Sequence, residues 1–247
     1  MTYTIVARCP STGKLGLAIA TYSIVVGQLC DGLRANVGAT ITQAFPRPSN
    51  HHLALKLLET GFAADHVLAA LDQDDVHGSY RQICVLGRSG PPALHTGPNT
   101  RGWAGHLAGD DFAVFGNVLA GPEVVAAMRD GFTAGASEHS FEHRLIASLE
   151  AGRDAGGQAG KNGAVPERSA AIIVVDKAQH AELNLRVDLH DSAVHELRRL
   201  YEFYKPYDAY YRLRATDPAR GVPQEVFQAE LERSRQSVRQ PRAPAGN

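Results

Sequence analysis

Residues 2–21 read TYTIVARCPSTGKLGLAIAT, and the fold turns on how this stretch is taken. YTIVARC at 3–9 alternates and is rich in β-formers, PSTGK supplies turn residues, and LGLAIAT at 15–21 is again strand-like. The chain therefore opens with a β-hairpin. ANVGATITQAF at 35–45 adds a third strand and room for a fourth. HLALKLLETG and FAADHVLAALDQ follow, with apolar residues three and four apart on either side of Gly61, and predict two consecutive helices. SYRQICVLGRSG at 79–90 and PALHTG at 92–97 read as another hairpin, with WAGHLAG and DFAVFGNVLAG as strands after it. PEVVAAMRDGF places Pro122 in a first helical turn, and SFEHRLIASLEAG repeats the helical period, giving a second helix pair.

The Gly-rich stretch 152–168 has no period and is predicted to be a loop. Strands are expected at 169–176 and 181–189, then a helix over 191–204 with Asp191 as its N-cap. An amphipathic segment at 224–235 precedes a disordered end, RQPRAPAGN, at 239–247. Strands in runs and helices in runs argue against parallel βαβ units. The expected class is α+β, a four-layer αββα sandwich of two antiparallel sheets flanked by helices, in one domain over 1–215 with a helical and disordered tail over 216–247.

With 247 residues, 44% of them hydrophobic, the chain is long enough for a substantial core. Its formal net charge of −1 points away from nucleic acid and anionic membrane surfaces and toward a small neutral substrate or a protein partner. Three cysteines without C-x-x-C spacing argue against a disulfide framework or a zinc ribbon and for a reducing cytoplasm. No stretch approaches the roughly 20 apolar residues of a membrane span, and no secretory signal opens the chain. A homodimer through an exposed strand edge or helix pair is compatible with this pattern.

Familiar catalytic motifs fail on inspection. GGQAGKN resembles a phosphate loop, but such a loop needs Gly where Ala155 stands and Ser or Thr where Asn162 stands. The 11 histidines lack the spacing of a zinc site, and no G-x-S-x-G elbow is present. No metal or organic cofactor is implied. Cys9 and Cys30 read as small buried hydrophobes.

Several polar residues stand out. His106 lies in WAGHLAG, where flanking glycines permit close approach of a ligand. Gln43 and Asn117 are amides inside apolar strand ends, suited either to structural hydrogen bonding or to orienting a substrate or oxyanion. Arg34 precedes an apolar run, as a strand-edge arginine does. Thr2 by itself is an ordinary strand-opening residue.

The ordered segments T-x-T-I-V-A-R, T-G-x-L-G-x-A-I-A, L-R-A-N-V-G-A-T-I-T-Q-A, W-A-G-H, G-N-V-L-A-G-P-E-V, S-A-A-I-I-V-V-D and L-R-V-D-L-H resemble the DUF1028 family from residue 2 to about 205. The resemblance implies the N-terminal nucleophile hydrolase fold, the same αββα sandwich, and a mechanism class in which the first mature residue attacks an amide carbonyl. On that basis Thr2, exposed by removal of Met1, is the expected nucleophile, with its own α-amine as base. A free α-amine titrates near 7.7–8.0, close to working pH. The resemblance further implies Arg34 as charge stabiliser and Asn117, or backbone N–H groups about Gly38, as oxyanion donors. Thr4, Ser23, Gln43, His106 and Ser169 are the expected substrate-side residues, and the substrate is an amide of a small molecule or short peptide. Relative to the family pattern, Thr4 replaces Ser and keeps the hydroxyl, while Gln158 replaces an acid after a Gly-Gly pair and the loop runs longer through KNGAVPER; if that acid orients the nucleophile, its loss implies a changed substrate or a weakened activity. The alternative is a catalytically silent protein that binds a metabolite or partner in the same cleft.

Overall fold

A computed structural model describes residues 1–178 and 180–239. The predicted disordered end, apart from Arg239, lies outside them. The hairpin forms as read: β1 (Thr2–Arg8) pairs antiparallel with β2 (Leu15–Thr21), with Arg8 opposite Leu15 and Thr2 opposite Thr21. After a two-residue β3 (Leu33–Arg34) come β4 (Gly38–Ala44), α1 (Ser49–Glu59) and α2 (Ala64–Asp74). Then follow β5 (Arg81–Gly87), β6 (Ala93–Thr96), β7 (Trp103–Ala108), β8 (Phe112–Leu119), α3 (Pro122–Thr133) and α4 (Phe141–Asp154). The chain closes with β9 (Gln158–Gly160), β10 (Gly163–Val165), β11 (Ser169–Val175), β12 (Leu183–Val187), α5 (Ala193–Thr216) and α6 (Gln224–Arg239).

The class is α+β with two antiparallel sheets. One has the order β10-β9-β8-β1-β2-β11-β12, with β7 also pairing β8, and the other runs β3-β4-β5-β6. Strand periodicity decides what each face buries. Val6, Leu17, Ile19, Phe115 and Ile173 of the larger sheet meet Ala39, Ile41, Cys84 and Leu86 of the smaller in one buried cluster. On the smaller sheet's other face, Ile83 and Val85 pack against Ala54, Val67 and Leu71 of α1 and α2. Helices α3 and α4 lie on the larger sheet's outer face, α3 against β7 and β8 and α4 against β1 and β2. Gly16 permits that approach: a Cβ there would come within 2.5 Å of Leu145. Fully burying each large aliphatic side chain contributes about 1.5–3 kcal/mol, so the cluster between the sheets dominates the fold.

Three expectations are corrected. The stretch 152–168 is not a featureless loop. Helix α4 runs to Asp154, Gly156 and Gly157 turn at positive φ (111° and 53°), and β9 and β10 form a short hairpin with Gly160 opposite Gly163. Small residues without alternation hid those strands. The helix predicted over 191–204 starts at Ala193 and continues to Thr216 through Pro206, and Glu196 N–H donates to Ser192 O at 3.0 Å, so Asp191 lies ahead of the helix. Finally, 35–45 holds one full strand, because Asn36 at φ 62° turns the chain between β3 and β4.

Contacts divide the chain into two units, Met1–Arg198 and Arg199–Asn247. Within the second, Phe227 stacks on Tyr210 at 4.2 Å and meets Tyr207 edge-on at 5.2 Å. No helix among the described residues is long and apolar enough to cross a membrane.

Candidate functional site

Along six strands of the first unit, the side chains facing the space between the sheets change from apolar to polar at one end. In β1 Val6 gives way to Thr4 and Thr2, in β2 Ile19 to Thr21, in β4 Ile41 to Gln43. In β5 Cys84 gives way to Gln82, in β8 Phe115 to Asn117, in β11 Ala171 to Ser169. All seven polar residues are buried. Such a layer is stable only if its groups bond one another.

They do. Thr4 Oγ1 donates to Gln43 Oε1 at 2.6 Å, and Gln43 Nε2 donates to Gln82 Oε1 at 2.8 Å. Asn117 Nδ2 gives Gln82 Oε1 a second hydrogen bond at 3.2 Å. Gln82 Nε2 in turn donates to Gly116 O at 2.9 Å and Thr96 Oγ1 at 3.0 Å, and Thr96 Oγ1 lies 3.0 Å from His106 Nδ1. Gln82, fully buried, is the hub of this network.

Thr2 begins the strand at the centre of this end, with Thr21 opposite it on one side and Asn117 on the other. Its Oγ1 is 3.2 Å from Thr21 Oγ1, and the Thr21 hydroxyl also donates a short hydrogen bond to Met1 O. The Thr21 hydroxyl thus bridges the Thr2 side chain and the Met1–Thr2 peptide. Ser169 Oγ donates to Ser23 O at 2.7 Å and accepts from Val26 N at 3.1 Å, which fastens the segment after β2 to β11. A partly enclosed cavity of about 100 Å³ opens beside Thr2, walled by Thr21, Ser23, Val26, Leu29, Ile41 and Gln43 among others.

Burial, then the nearby Arg101 cation, pull the chain's α-amine at Met1 below its ordinary value of 8.0. Burial, then the neighbouring His95, likewise lower His106. Backbone strain collects here too. Val25, Ala44 and Val118 have φ of 62°, 69° and 55°; each adjoins the cavity or Asn117, and for the β-branched valines this conformation is an outlier. Strained backbone persists only where its surroundings over-determine it, and it gathers at functional sites.

The structure therefore brings Thr2, Thr4, Gln43, Asn117, Ser23 and Ser169 together, with His106 at the end of the network. It does not bring Arg34 there. Arg34 is opposite Gly38 at the far end of β4, roughly 17 Å from Gln43 at ~3.3 Å per residue, and forms an exposed ion pair with Glu59 at 2.9 Å. The N–H groups about Gly38 lie at that far end as well. The cation near the α-amine is Arg101, whose guanidinium lies 5.4 Å from the Phe45 ring centre.

Sequence reasoning missed Arg101, Thr21 and Gln82. The register of the opening hairpin, continued from its turn, reaches Thr21 opposite Thr2, and pairing SYRQICVLG with GATITQA reaches Gln82 opposite Gln43. Arg101 sits outside any strand, and no pattern pointed to it.

Other groups with catalytic chemistry are engaged elsewhere. His51 Nε2 accepts from Thr42 N at 3.0 Å while Nδ1 lies 2.5 Å from Asp31, so this His–Asp pair holds α1 to β4. Burial pushes the Cys30 thiol up to about 12 and Cys84 higher still, which keeps both protonated. Among the described residues no cluster of three or more His, Cys, Asp or Glu is arranged to hold a metal ion.

The crystal structure of a DUF1028 protein from Silicibacter pomeroyi is similar to this chain, with 29% identity over 83% of this chain and 89% of that one and a TM-score of 0.72. Anbu, an ancestral beta-subunit from Yersinia bercovieri, aligns with 10% identity over 81% of this chain and 93% of its own, at a TM-score of 0.36. No curated protein matches the chain. Residues 2–197, which carry every strand among the described residues and every member of the polar layer, match the model of a family of unknown function, and the chain belongs to that family, DUF1028.

Proposed function

We propose that the protein is an N-terminal nucleophile amide hydrolase, built as an αββα sandwich of that superfamily, in which Thr2 becomes the first residue once Met1 is removed. The observation that carries this reading is the position of Thr2: a hydroxyl at the start of a central strand, beside a cavity, one residue from an α-amine, that of Met1, which burial and then Arg101 depress. An internal threonine has no base attached, whereas an N-terminal one has its own amine.

The amine takes the Thr2 hydroxyl proton as Oγ1 attacks the substrate amide carbon. The carbon–nitrogen bond then breaks, the departing amine receives that proton, and the acyl group remains as an ester on Oγ1. Water adds to the ester, gives its proton to the α-amine, and releases a carboxylic acid as Oγ1 is reprotonated. Asn117 has two amide protons, of which Gln82 takes one, and the other serves the developing oxyanion. Burial first and the Arg101 cation second lower the α-amine at Met1, and the same surroundings would favour the free base of the Thr2 amine. With Met1 gone, the Thr21 hydroxyl is freed from the Met1 carbonyl and orients the amine. Thr4 and Gln43 hold β1 in place from below. No metal or cofactor takes part, and the site of action is the cytoplasm.

Intact mass, then labelling, tests this. The purified protein is expected to lack Met1, and an unsubstituted β-lactone is expected to acylate Thr2, with no labelling at that position in Thr2→Ala. A chain that retains Met1, or a mature chain that the lactone leaves unmodified at Thr2, refutes the hydrolase and favours a binding protein on the same fold.

A further inference from the structure

The cavity beside Thr2 has a definite chemistry. Its walls include Ile19, Val26, Leu29 and Ile41 from the interior and Met1, Ile24 and Pro46 toward its mouth, with polar residues Thr2, Thr21, Ser23, Thr42 and Gln43 around the rest. No ionisable side chain lines it. At the mouth, Ile24 is 51% exposed.

Size narrows the occupant further. With Met1 in its wall the cavity measures about 100 Å³, below the roughly 150 Å³ that accepts benzene; Met1 is 38% exposed, so its removal opens the mouth and leaves the inner end between Ile19, Val26, Leu29 and Ile41, which suits a small, branched aliphatic group. A charged group at that inner end would find no charged side chain in the walls and few hydrogen-bond partners.

We infer, resting on the hydrolase reading above, that the acyl side of the substrate amide carries a small uncharged aliphatic side chain, of valyl or leucyl size, which fills this cavity. The acyl group is the half of the substrate that stays attached to Thr2 between the two chemical steps, so a pocket next to Oγ1 can stabilise both transition states only by holding that half. Leu29, half-buried in the short 3-10 turn Val26–Leu29, sets the depth of the pocket.

The test uses the full chain, with Met1 removal verified by mass, and 4-methylcoumarin-7-amides of N-acetylated glycine, alanine, valine, leucine, phenylalanine, glutamate and lysine. A second series keeps the best acyl group and varies the departing amine. The valyl or leucyl substrate is expected to exceed the alanyl one in kcat/KM by about 10–100-fold, and the glutamyl and lysyl ones by roughly a thousandfold. Leu29→Ala is expected to move the optimum toward phenylalanyl by about tenfold, and Leu29→Phe to reverse the leucyl-over-alanyl preference. A flat acyl profile, a preference for a charged side chain, or selection confined to the amine series overturns the inference, provided the unsubstituted β-lactone still labels Thr2. If the lactone leaves Thr2 unlabelled, the hydrolase reading itself falls and takes this inference with it.

Discussion

Replacing Gln82 by Leu removes the hub of the polar layer at nearly constant volume, so the effect is one of hydrogen bonding more than of cavity formation. Gln82 Oε1 accepts from Gln43 Nε2 and Asn117 Nδ2, both on side chains no more than 4% exposed, and its Nε2 donates to Gly116 O. Three buried groups lose a partner. Each stranded group costs about 1–3 kcal/mol, or roughly 3–9 kcal/mol together, while the buried leucine returns about 1.5–3 kcal/mol. Thr96 lies nearer the surface and finds water. The midpoints leave a net loss of about 4 kcal/mol, a large fraction of the 5–15 kcal/mol that holds a typical domain folded.

Urea unfolding followed by fluorescence and by circular dichroism measures the loss, with coincident transitions needed for a two-state treatment. Gln28→Leu, on an exposed residue, is the control and should stay within about 0.5 kcal/mol. Gln43→Leu combined with Gln82→Leu should be less harmful than the sum of the two, because the donor stranded by one is deleted by the other; a coupling of about 0.5–3 kcal/mol is expected. A Gln82→Leu loss below about 1 kcal/mol, or additivity within about 0.3 kcal/mol, would refute the idea that Gln82 is the acceptor on which this layer depends.

Two further predictions follow from the same geometry. Arg101→Ala removes the second cause of the depressed α-amine, so the amine titrates higher in the variant; the acid limb of the kcat/KM profile should move to higher pH, with the rate at pH 7 falling more than the rate at pH 9, and an unmoved limb rejects the role. Ser169→Ala strands Ser23 O and Val26 N, with an expected cost of about 1–3 kcal/mol; hydrogen exchange at the Val26 amide should accelerate well beyond that at Ile172 in the middle of β11, and equal protection at both sites contradicts the fastening role.

The fold was legible wherever a single local signal sufficed. The opening hairpin, the paired helices on either side of Gly61, and the start of α3 at Pro122 rest on alternation, on three-and-four spacing and on a residue with a fixed φ. The β9–β10 hairpin was not legible, since QAG and GAV are too short and too small to alternate. Pro206 hid the second half of α5, because a proline inside a helical pattern ordinarily ends it. The site divides in the same way. Gln43 and Asn117 stood out as polar residues in apolar strands and Thr2 through the family resemblance, and the structure gathers them. Arg34, given a site role by the same resemblance, forms an exposed ion pair opposite the far end of β4, since which end of a strand meets which end of another depends on register. Arg101 reaches the chain's α-amine from an irregular segment, and only tertiary structure reports such proximity.

The polar layer bears on function because stability alone does not demand it. A sandwich core of this kind is satisfied by apolar residues, and exchanging both partners of a buried hydrogen bond for apolar groups is often neutral or better. At the other end of the same strands the chain follows that rule, with Val6, Leu15, Leu17, Ala39 and Leu86. At this end it places seven buried hydroxyls and amides at matching levels of six strands, and three left-handed non-glycine residues around them. That combination depends on every hydrogen bond being made and gains no core energy in return. What it provides is a hydroxyl, a backbone nitrogen and an amide fixed around one small cavity, the arrangement that the proposed chemistry uses and that packing alone does not require.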